Sequence, residues 1–116
     1  MTPHRIGHIE WASTDLERTK RFLSGLFGWE FKAWRDDYYL FSAPERPNGG
    51  IQKVDKVKPG NSPIVYVEVD DIDSTLKNVQ KLGGRVAMSK SEISDMGWYA
   101  HLSDPDGNVI GLYQGK

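Results

Sequence analysis

Four side chains in two strand-like segments could transfer protons or hold a ligand. His8 and Glu10 lie two residues apart near the N terminus, and Tyr66 and Glu68 are spaced in the same way in the second half of the chain. Side chains two apart on a β-strand share a face, so each pair should point the same way. An imidazole near two carboxylates could act as an acid–base group or bind a divalent cation. Alternatively, Glu10 and Glu68 are simply solvated, and His8 is a strand histidine satisfied by a neighbouring carboxylate.

The second of these segments has the clearest alternation in the sequence. Val65, Val67 and Val69 alternate with Ile64, Tyr66 and Glu68. Valines at period two predict a strand whose apolar face packs against a helix, which leaves Tyr66 and Glu68 on the opposite face. In the last strand-like segment, Tyr113 follows Gly111 by two residues and shares its face.

An internal repeat indicates how these residues are positioned. Asp15 and Asp71 each open a helical stretch, Gly28 and Gly84 each follow one, and both intervals are 56 residues, since 71 − 15 = 84 − 28 = 56. Asp is a good N-cap and Gly a good helix stop. The sequence predicts strand, helix and three strands, twice. The predicted helices are 16–26 and 72–82, with strands near 6–11, 29–34, 38–43, 64–69, 85–88, 98–103 and 109–114 and a short fourth strand after residues 48–50.

Composition limits the classes of function. The formal net charge is −1, which gives no reason to expect a nucleic acid or an anionic membrane as partner. There is no cysteine, which excludes disulfides, thiolate metal ligands and a cysteine nucleophile. No signal peptide and no apolar run of about 20 residues is visible. We therefore expect a soluble, cytoplasmic protein.

Several motifs occur in a characteristic order. They are His8 seven residues before Asp15-Leu16, "FLSGLFGW" at 22–29, "VDDI" at 69–72, "LGG" at 82–84 and "DPDGNVI" at 104–110. This ordered set resembles the vicinal-oxygen-chelate superfamily of glyoxalase I, bleomycin-resistance proteins and extradiol dioxygenases. More narrowly, "FGW" and the later "VDDID" and "LGG" resemble small bacterial proteins that are described as related to lactoylglutathione lyase.

The resemblance implies an α+β fold in which two tandem βαβββ modules form a cup-shaped mixed sheet with the helices outside. The predicted boundaries are 5–54 for module one, 55–63 for the linker and 64–114 for module two, within one domain of 1–116. Modules pair either within a chain or across a swapped dimer. A homodimer that binds a small molecule is expected, with no nucleic-acid or membrane partner.

The resemblance also implies a metal site whose four ligands come from the first and last strands of each module. Only His8 matches a ligand position. Gly111 stands where a glutamate is usual, the partner position falls at or beside Gly50, and the remaining one aligns with Ile64. A lone imidazole holds a divalent ion weakly. No metal and no other cofactor is therefore expected, and the glutathione-dependent isomerase reaction is disfavoured.

The sequence predicts a protein that binds a small organic molecule in the cup. The proposed ligand-binding residues are His8, Glu10, Tyr66, Glu68 and Tyr113. Whether the protein is an enzyme stays open: one alternative is a metal-dependent lyase, isomerase or dioxygenase with an atypical site on His8, Glu10 and Glu68, or metal-free acid–base catalysis by His8. Another is a module that serves a partner protein. Trp11, Trp34 and Trp98 could join the cup or the core, and the direction of His101 is open.

Overall fold

The computed structural model describes residues 4–42, 48–58, 60 and 62–116. Residue 43, predicted at the end of a strand, and residues 59 and 61 of the predicted linker lie outside this set. The chain forms two compact units. The first unit is Gly7–Pro63, and the second combines the start of the chain, up to Ile6, with Ile64–Lys116. The elements are β1 (Ile6–Ser13), α1 (Leu16–Phe27), β2 (Glu30–Arg35), β3 (Tyr38–Ser42), β4 (Asn48–Lys53), β5 (Ile64–Glu68), α2 (Ile72–Val79), β6 (Arg85–Ile93), β7 (Gly97–Ser103) and β8 (Val109–Gly115).

Each unit contains a βαβββ module with a four-stranded mixed sheet. In the first unit the strand order is β2-β3-β4-β1, and β4 runs parallel to β1 but antiparallel to β3. In the second unit the order is β6-β7-β8-β5, and β8 runs parallel to β5 but antiparallel to β7. The predicted α+β class with two βαβββ modules is confirmed. In each sheet the final strand of the module lies between the first and third strands.

Both helices begin where the repeat predicts, but the left-handed glycine after the second helix comes one residue earlier than the repeat predicts. The Asp15 carboxylate accepts a hydrogen bond from the Arg18 backbone N–H at 3.1 Å, and Asp71 caps α2 in the same way. Helix α1 stops at Gly28, which has φ 71°. The second helix tightens into a 3₁₀ turn, Gln80–Leu82, so the left-handed residue is Gly83 with φ 94°. A 3₁₀ turn advances the chain with fewer residues per turn, which explains the shift.

The core of the second unit lies between α2 and one face of its sheet. Its buried residues are Val69, Ile72, Ala100 and Leu112, and Val67, Leu76, Trp98 and Leu102 pack against them. The predicted packing of Val67 and Val69 is therefore confirmed. Since successive residues of a strand point to opposite faces, the other face carries Tyr66, Glu68, His101 and Gly111.

The helix face of the first unit is rich in aromatic rings. Trp29 stacks on Phe41 with ring centroids 4.7 Å apart, and Trp11 meets both rings edge-on. Of the apolar residues at helical spacing in α1, Leu16 and Leu23 are buried, whereas Phe22 is 64% exposed. No helix among the described residues is long and apolar enough to cross a bilayer.

Candidate functional site

In the first unit, a tyrosine ring crosses the final strand to reach a histidine. Tyr38, on β3, hydrogen-bonds through its hydroxyl to Nε2 of His8 on β1, at 2.8 Å. Gly50 lies between them on β4, directly opposite Glu10. A Cβ at Gly50 would come within 3.0 Å of Cε1, Cζ and the hydroxyl oxygen of Tyr38. The phenol ring therefore occupies the space that a side chain at residue 50 would need.

The second unit repeats this arrangement around Gly111. Tyr66, on β5, hydrogen-bonds through its hydroxyl to Nε2 of His101 on β7, at 2.7 Å. Gly111 on β8 is the direct neighbour of both residues in the strand pairing. A Cβ at Gly111 would come within 3.0 Å of Cγ, Cδ2 and Cε2 of Tyr66. Here too the ring fills the place of the missing side chain.

Strand spacing explains why a glycine is needed at both positions. The two strands that carry tyrosine and histidine are next-nearest neighbours, so their backbones lie roughly 10 Å apart, twice the usual spacing of about 4.8 Å. A tyrosine and a histidine together can span this distance only if the strand between them has no side chain on that face. The tyrosine, the glycine and the histidine on three adjacent strands therefore depend on one another.

Burial sets the charge state of both histidines. Tyr38 is 8% exposed and Tyr66 is 7% exposed, and both imidazoles are half-buried. Desolvation lowers the pKa of His8 and of His101 below the ordinary value, because a charged ring loses hydration when it is buried. At neutral pH both rings are therefore uncharged and can each accept one hydrogen bond and donate another.

The other predicted site residues lie on the same strands but have different roles. Glu10 is half-buried on β1 beside Gly50. Glu68, on β5, pairs with Arg5, whose Nε lies 2.8 Å from Oε1 of the carboxylate. The hydroxyl of Tyr113 donates to the backbone carbonyl of Met96 at 2.7 Å. Tyr66 is thus the one predicted residue of the second unit that is joined to a histidine.

The turn Asp104-Pro105-Asp106-Gly107-Asn108 is held by its own hydrogen bonds. The Asp104 carboxylate accepts from the backbone N–H of Asp106 and Asn108 and from the Asn108 side chain, each at 2.9 Å. These bonds, those from Asn108 first, hold the pKa of Asp104 below its usual value. The side chains of Asp104 and Asn108 are therefore explained by the structure of the turn rather than by ligand binding.

The four-ligand metal site that the resemblance implies does not fit these residues. Gly50 and Gly111 have no side-chain ligand atom, and tyrosine rings cover both positions. Within either unit, the described residues include no group of three His, Asp or Glu side chains that could hold a metal ion. Glu68, a member of the alternative metal site, is engaged by Arg5.

Sequence reasoning identified one residue of each pair and missed the other. Tyr38 gave no signal, because its link to His8 depends on strand order and not on spacing along the chain. The direction of His101 was open because β6 and β7 pair with shifts in register near Met88. Trp34 contacts the edge of the Tyr38 ring at 5.7 Å between centroids, whereas Trp11 and Trp98 pack on the helix side. The available signal was the glycine at each of two predicted ligand positions, because Gly50 and Gly111 leave space that a ring from a neighbouring strand can fill.

Comparison with known proteins identifies the fold and the family. A family model described as the Glyoxalase/Bleomycin resistance protein/Dioxygenase superfamily matches residues 5–112. CFP32 of Mycobacterium bovis, which is named as a glyoxylase, is 30% identical over 96% of this chain and 47% of its own length. The anthracycline biosynthesis protein DnrV of Streptomyces peucetius is 25% identical over 98% of this chain and 49% of its own. The chain thus spans about half the length of these curated relatives.

A solved structure agrees in fold at low sequence identity. The crystal structure of a glyoxalase/bleomycin resistance protein/dioxygenase superfamily member from Vibrio splendidus 12B01 superposes with a TM-score of 0.71. It is 16% identical and covers 97% of this chain and 99% of its own. At this identity the likeness shows the fold alone.

Proposed function

Because the chain belongs to the Glyoxalase/Bleomycin resistance protein/Dioxygenase superfamily, we propose that it binds a small organic molecule without the metal site of that family. The binding surfaces are the sheet faces that point away from the helices. Their polar groups are the His8–Tyr38 and Tyr66–His101 pairs, with Glu10, Glu68 and Tyr113 at their margins.

The observation that supports this proposal is the tyrosine ring that lies over each of the two glycines, Gly50 and Gly111. At both positions where the family resemblance implies a carboxylate, a tyrosine ring fills the space and its hydroxyl is bonded to a histidine. Rings with a few polar atoms suit an organic ligand, because apolar contact gives affinity and the polar atoms fix orientation. A divalent ion needs several anionic or imidazole donors in one place, and the described residues of neither face include three such side chains that could share an ion.

An enzyme of the lyase or isomerase class is a second candidate, favoured by the similarity to CFP32, a relative named as a glyoxylase. In a metal-free form, His8 would be the proton acceptor, since its neutral imidazole is the basic form. In a metal-dependent form, His8 and Glu10 would have to bind the ion.

The first experiment separates these functions by metal content. The protein is purified without chelator or His-tag, dialysed against nickel, zinc, manganese and iron(II) in turn, and examined by elemental analysis beside His8→Ala. We expect no retained metal in either protein. Near-stoichiometric metal that is lost in His8→Ala would contradict the proposal and favour the metal-dependent enzyme.

The second experiment tests ligand binding directly. A library of small aromatic and amphipathic compounds is screened by thermal shift, and hits are measured by calorimetry with wild type, Tyr38→Phe and Tyr66→Phe. Both variants keep the ring over its glycine but lose the hydroxyl. We expect at least one class of compound to bind wild type and to bind one of the variants three- to tenfold more weakly, roughly the value of one hydrogen bond. Absence of any hit from the library would contradict the proposal.

A further inference from the structure

Strand β2 has a bulge at Trp34, beside the ring of Tyr38. The register between β2 and β3 shifts between Ala33 and Arg35, and Arg35 pairs with Tyr38, so Trp34 is an extra residue in β2. In a regular strand Trp34 and Arg35 would point to opposite faces of the sheet. The bulge instead brings Arg35 to the face of Tyr38, and the Trp34 ring meets the Tyr38 ring edge to face, with centroids 5.7 Å apart. Both side chains therefore lie beside Tyr38 in the first unit.

The guanidinium of Arg35 lies over the Trp34 ring, 4.4 Å from its centroid. This cation–π contact holds the guanidinium in place without using a hydrogen-bond acceptor. Within the described part of the chain, ion pairs involve Arg5, Lys20 and Lys90, and Arg35 forms neither an ion pair nor a hydrogen bond through its side chain. The side chain is exposed, so its N–H donors are available to a ligand. Their fork geometry matches the two oxygens of a carboxylate.

The surroundings of this guanidinium favour an anionic aromatic ligand. Lys32 pairs with Leu40 on β3, and it shares the face of Arg35 because Leu40 and Tyr38 are two residues apart. Lys32 is exposed and forms no ion pair with any described residue. Two cationic side chains on one face attract an anion, and the Trp34 ring, which is 38% exposed, offers apolar contact to a flat molecule.

An open groove leads to Arg35. Its volume is about 380 Å³, and it is lined by Ala33, Trp34, Arg35, Asp36 and Tyr39. Asp36 is the one acidic residue of this lining, and its carboxylate forms no ion pair with Arg35. A groove of this volume is large enough for a small ring system.

We propose that Arg35, held in place on Trp34, is a specificity-determining residue that binds the carboxylate of small aromatic acids. The carboxylate oxygens accept hydrogen bonds from the guanidinium, and the ring of the acid contacts the exposed part of Trp34. This inference rests on the proposed function, since it names the ligand class of the binding surface in the first unit. It adds Arg35, which the sequence left unassigned, and gives a role to Trp34.

A matched pair of probes tests the ligand class. 2-Naphthoate and 2-naphthamide have the same ring frame and nearly the same size, and only the first is negatively charged at neutral pH. By calorimetry we expect wild type to bind the naphthoate three- to tenfold more tightly than the naphthamide. The preference is of this size because Arg35 is exposed, and water and salt weaken a charged contact at the surface.

Substitutions at Arg35 and Trp34 test the role of each side chain. In Arg35→Gln the preference for the naphthoate should fall below twofold, while the affinity for 2-naphthamide is kept. Arg35→Lys keeps the charge but not the fork of donors, so it should retain part of the preference. Trp34→Ala removes the aromatic contact, so both probes should bind at least about threefold more weakly. Unchanged affinities in Trp34→Ala would overturn the role of Trp34, and a full preference in Arg35→Gln would overturn that of Arg35.

Arg21→Gln is the matched control. Arg21 is an exposed arginine of helix α1, and its substitution changes the net charge of the protein as Arg35→Gln does. This variant should retain the whole preference, and an equal loss in both variants would overturn the proposal, because the net charge would then explain it. If wild type binds the two probes equally, or binds neither at about 1 mM but binds other compounds from the library, the ligand class is wrong and the proposed function stands. If nothing binds at all, both are wrong.

Discussion

The two units hold a tyrosine ring over a glycine of their final strand, but the tyrosine comes from opposite sides. In the first unit the third strand supplies Tyr38 and the first strand supplies His8. In the second unit the first strand supplies Tyr66 and the third supplies His101. The same three-strand pattern is therefore built with its two polar partners exchanged.

The two modules therefore share the arrangement of a tyrosine, a glycine and a histidine on three adjacent strands. They do not share the sequence positions at which the tyrosine and the histidine occur. In each sheet the final strand lies in the middle, and its glycine leaves a gap that one tyrosine fills. A repeat search aligns His8 with Ile64, and so it finds no relation between the two histidines. The relation becomes visible only when residues are compared across strands.

The largest expected effect comes from adding a side chain at Gly50 or Gly111, under the tyrosine ring. Gly50→Ala and Gly111→Ala should each lower the free energy of unfolding by about 1–3 kcal/mol, because the added methyl group overlaps the tyrosine ring above it. Urea unfolding followed by circular dichroism measures this. Gly25→Ala is the matched control: its Cβ meets nothing within 4 Å on helix α1, so it should stabilise by about 0.5–1 kcal/mol.

A double-mutant cycle separates overlap from backbone effects. In a Tyr66→Ala background the ring is gone, so Gly111→Ala should be nearly neutral. An equal cost in both backgrounds would mean that the glycine is required by the strand itself and not by the tyrosine. The same cycle with Tyr38→Ala and Gly50→Ala should give the same result if the two units are equivalent.

The sequence predicted the helices and strands better than the side-chain contacts between strands. The Asp caps, the glycine stops and the valine alternation are local signals, and they placed both helices and the faces of β5 correctly. The pairs depend on which strands become neighbours and on their register. Near His101, register shifts between β6 and β7 break the simple alternation on which a prediction from spacing relies.

A second, smaller effect tests whether the two hydrogen bonds are equivalent. Tyr38→Phe and Tyr66→Phe should each cost about 1 kcal/mol of unfolding free energy, since the ring keeps its packing and only one hydrogen bond is lost. Tyr113→Phe is a suitable control because its hydroxyl bonds a carbonyl at an exposed position, so water can replace it. A cost confined to one unit would show that the exchanged pairs differ in strength.

The pH dependence of stability tests both histidines. Burial lowers the pKa of His8 and of His101 in the folded protein, so unfolded chains take up protons first as the pH falls. Their contribution to stability is complete above about pH 6.5, the ordinary histidine pKa, and is lost as the pH falls below it. Urea midpoints measured from pH 8 to pH 5 should decline in this window. His8→Phe and His101→Phe should each flatten the decline in part, and an unchanged slope in either variant would contradict the effect of burial on that residue.

The smallest expected effect concerns Glu68, the glutamate that the sequence placed on the same face as Tyr66. Glu68 is paired with Arg5, whose side chain is 62% exposed, so Arg5→Ala should lower Tm by no more than about 4 °C, and less in 1 M NaCl. Because that carboxylate already has a partner, Glu68→Gln should leave the affinity for a bound small molecule within about twofold, whereas Tyr66→Phe on the same face should weaken it. Calorimetry with one ligand and the two variants compares them directly. A loss in Glu68→Gln as large as that in Tyr66→Phe would place the Arg5–Glu68 pair in the binding surface and extend it beyond the Tyr66–His101 pair.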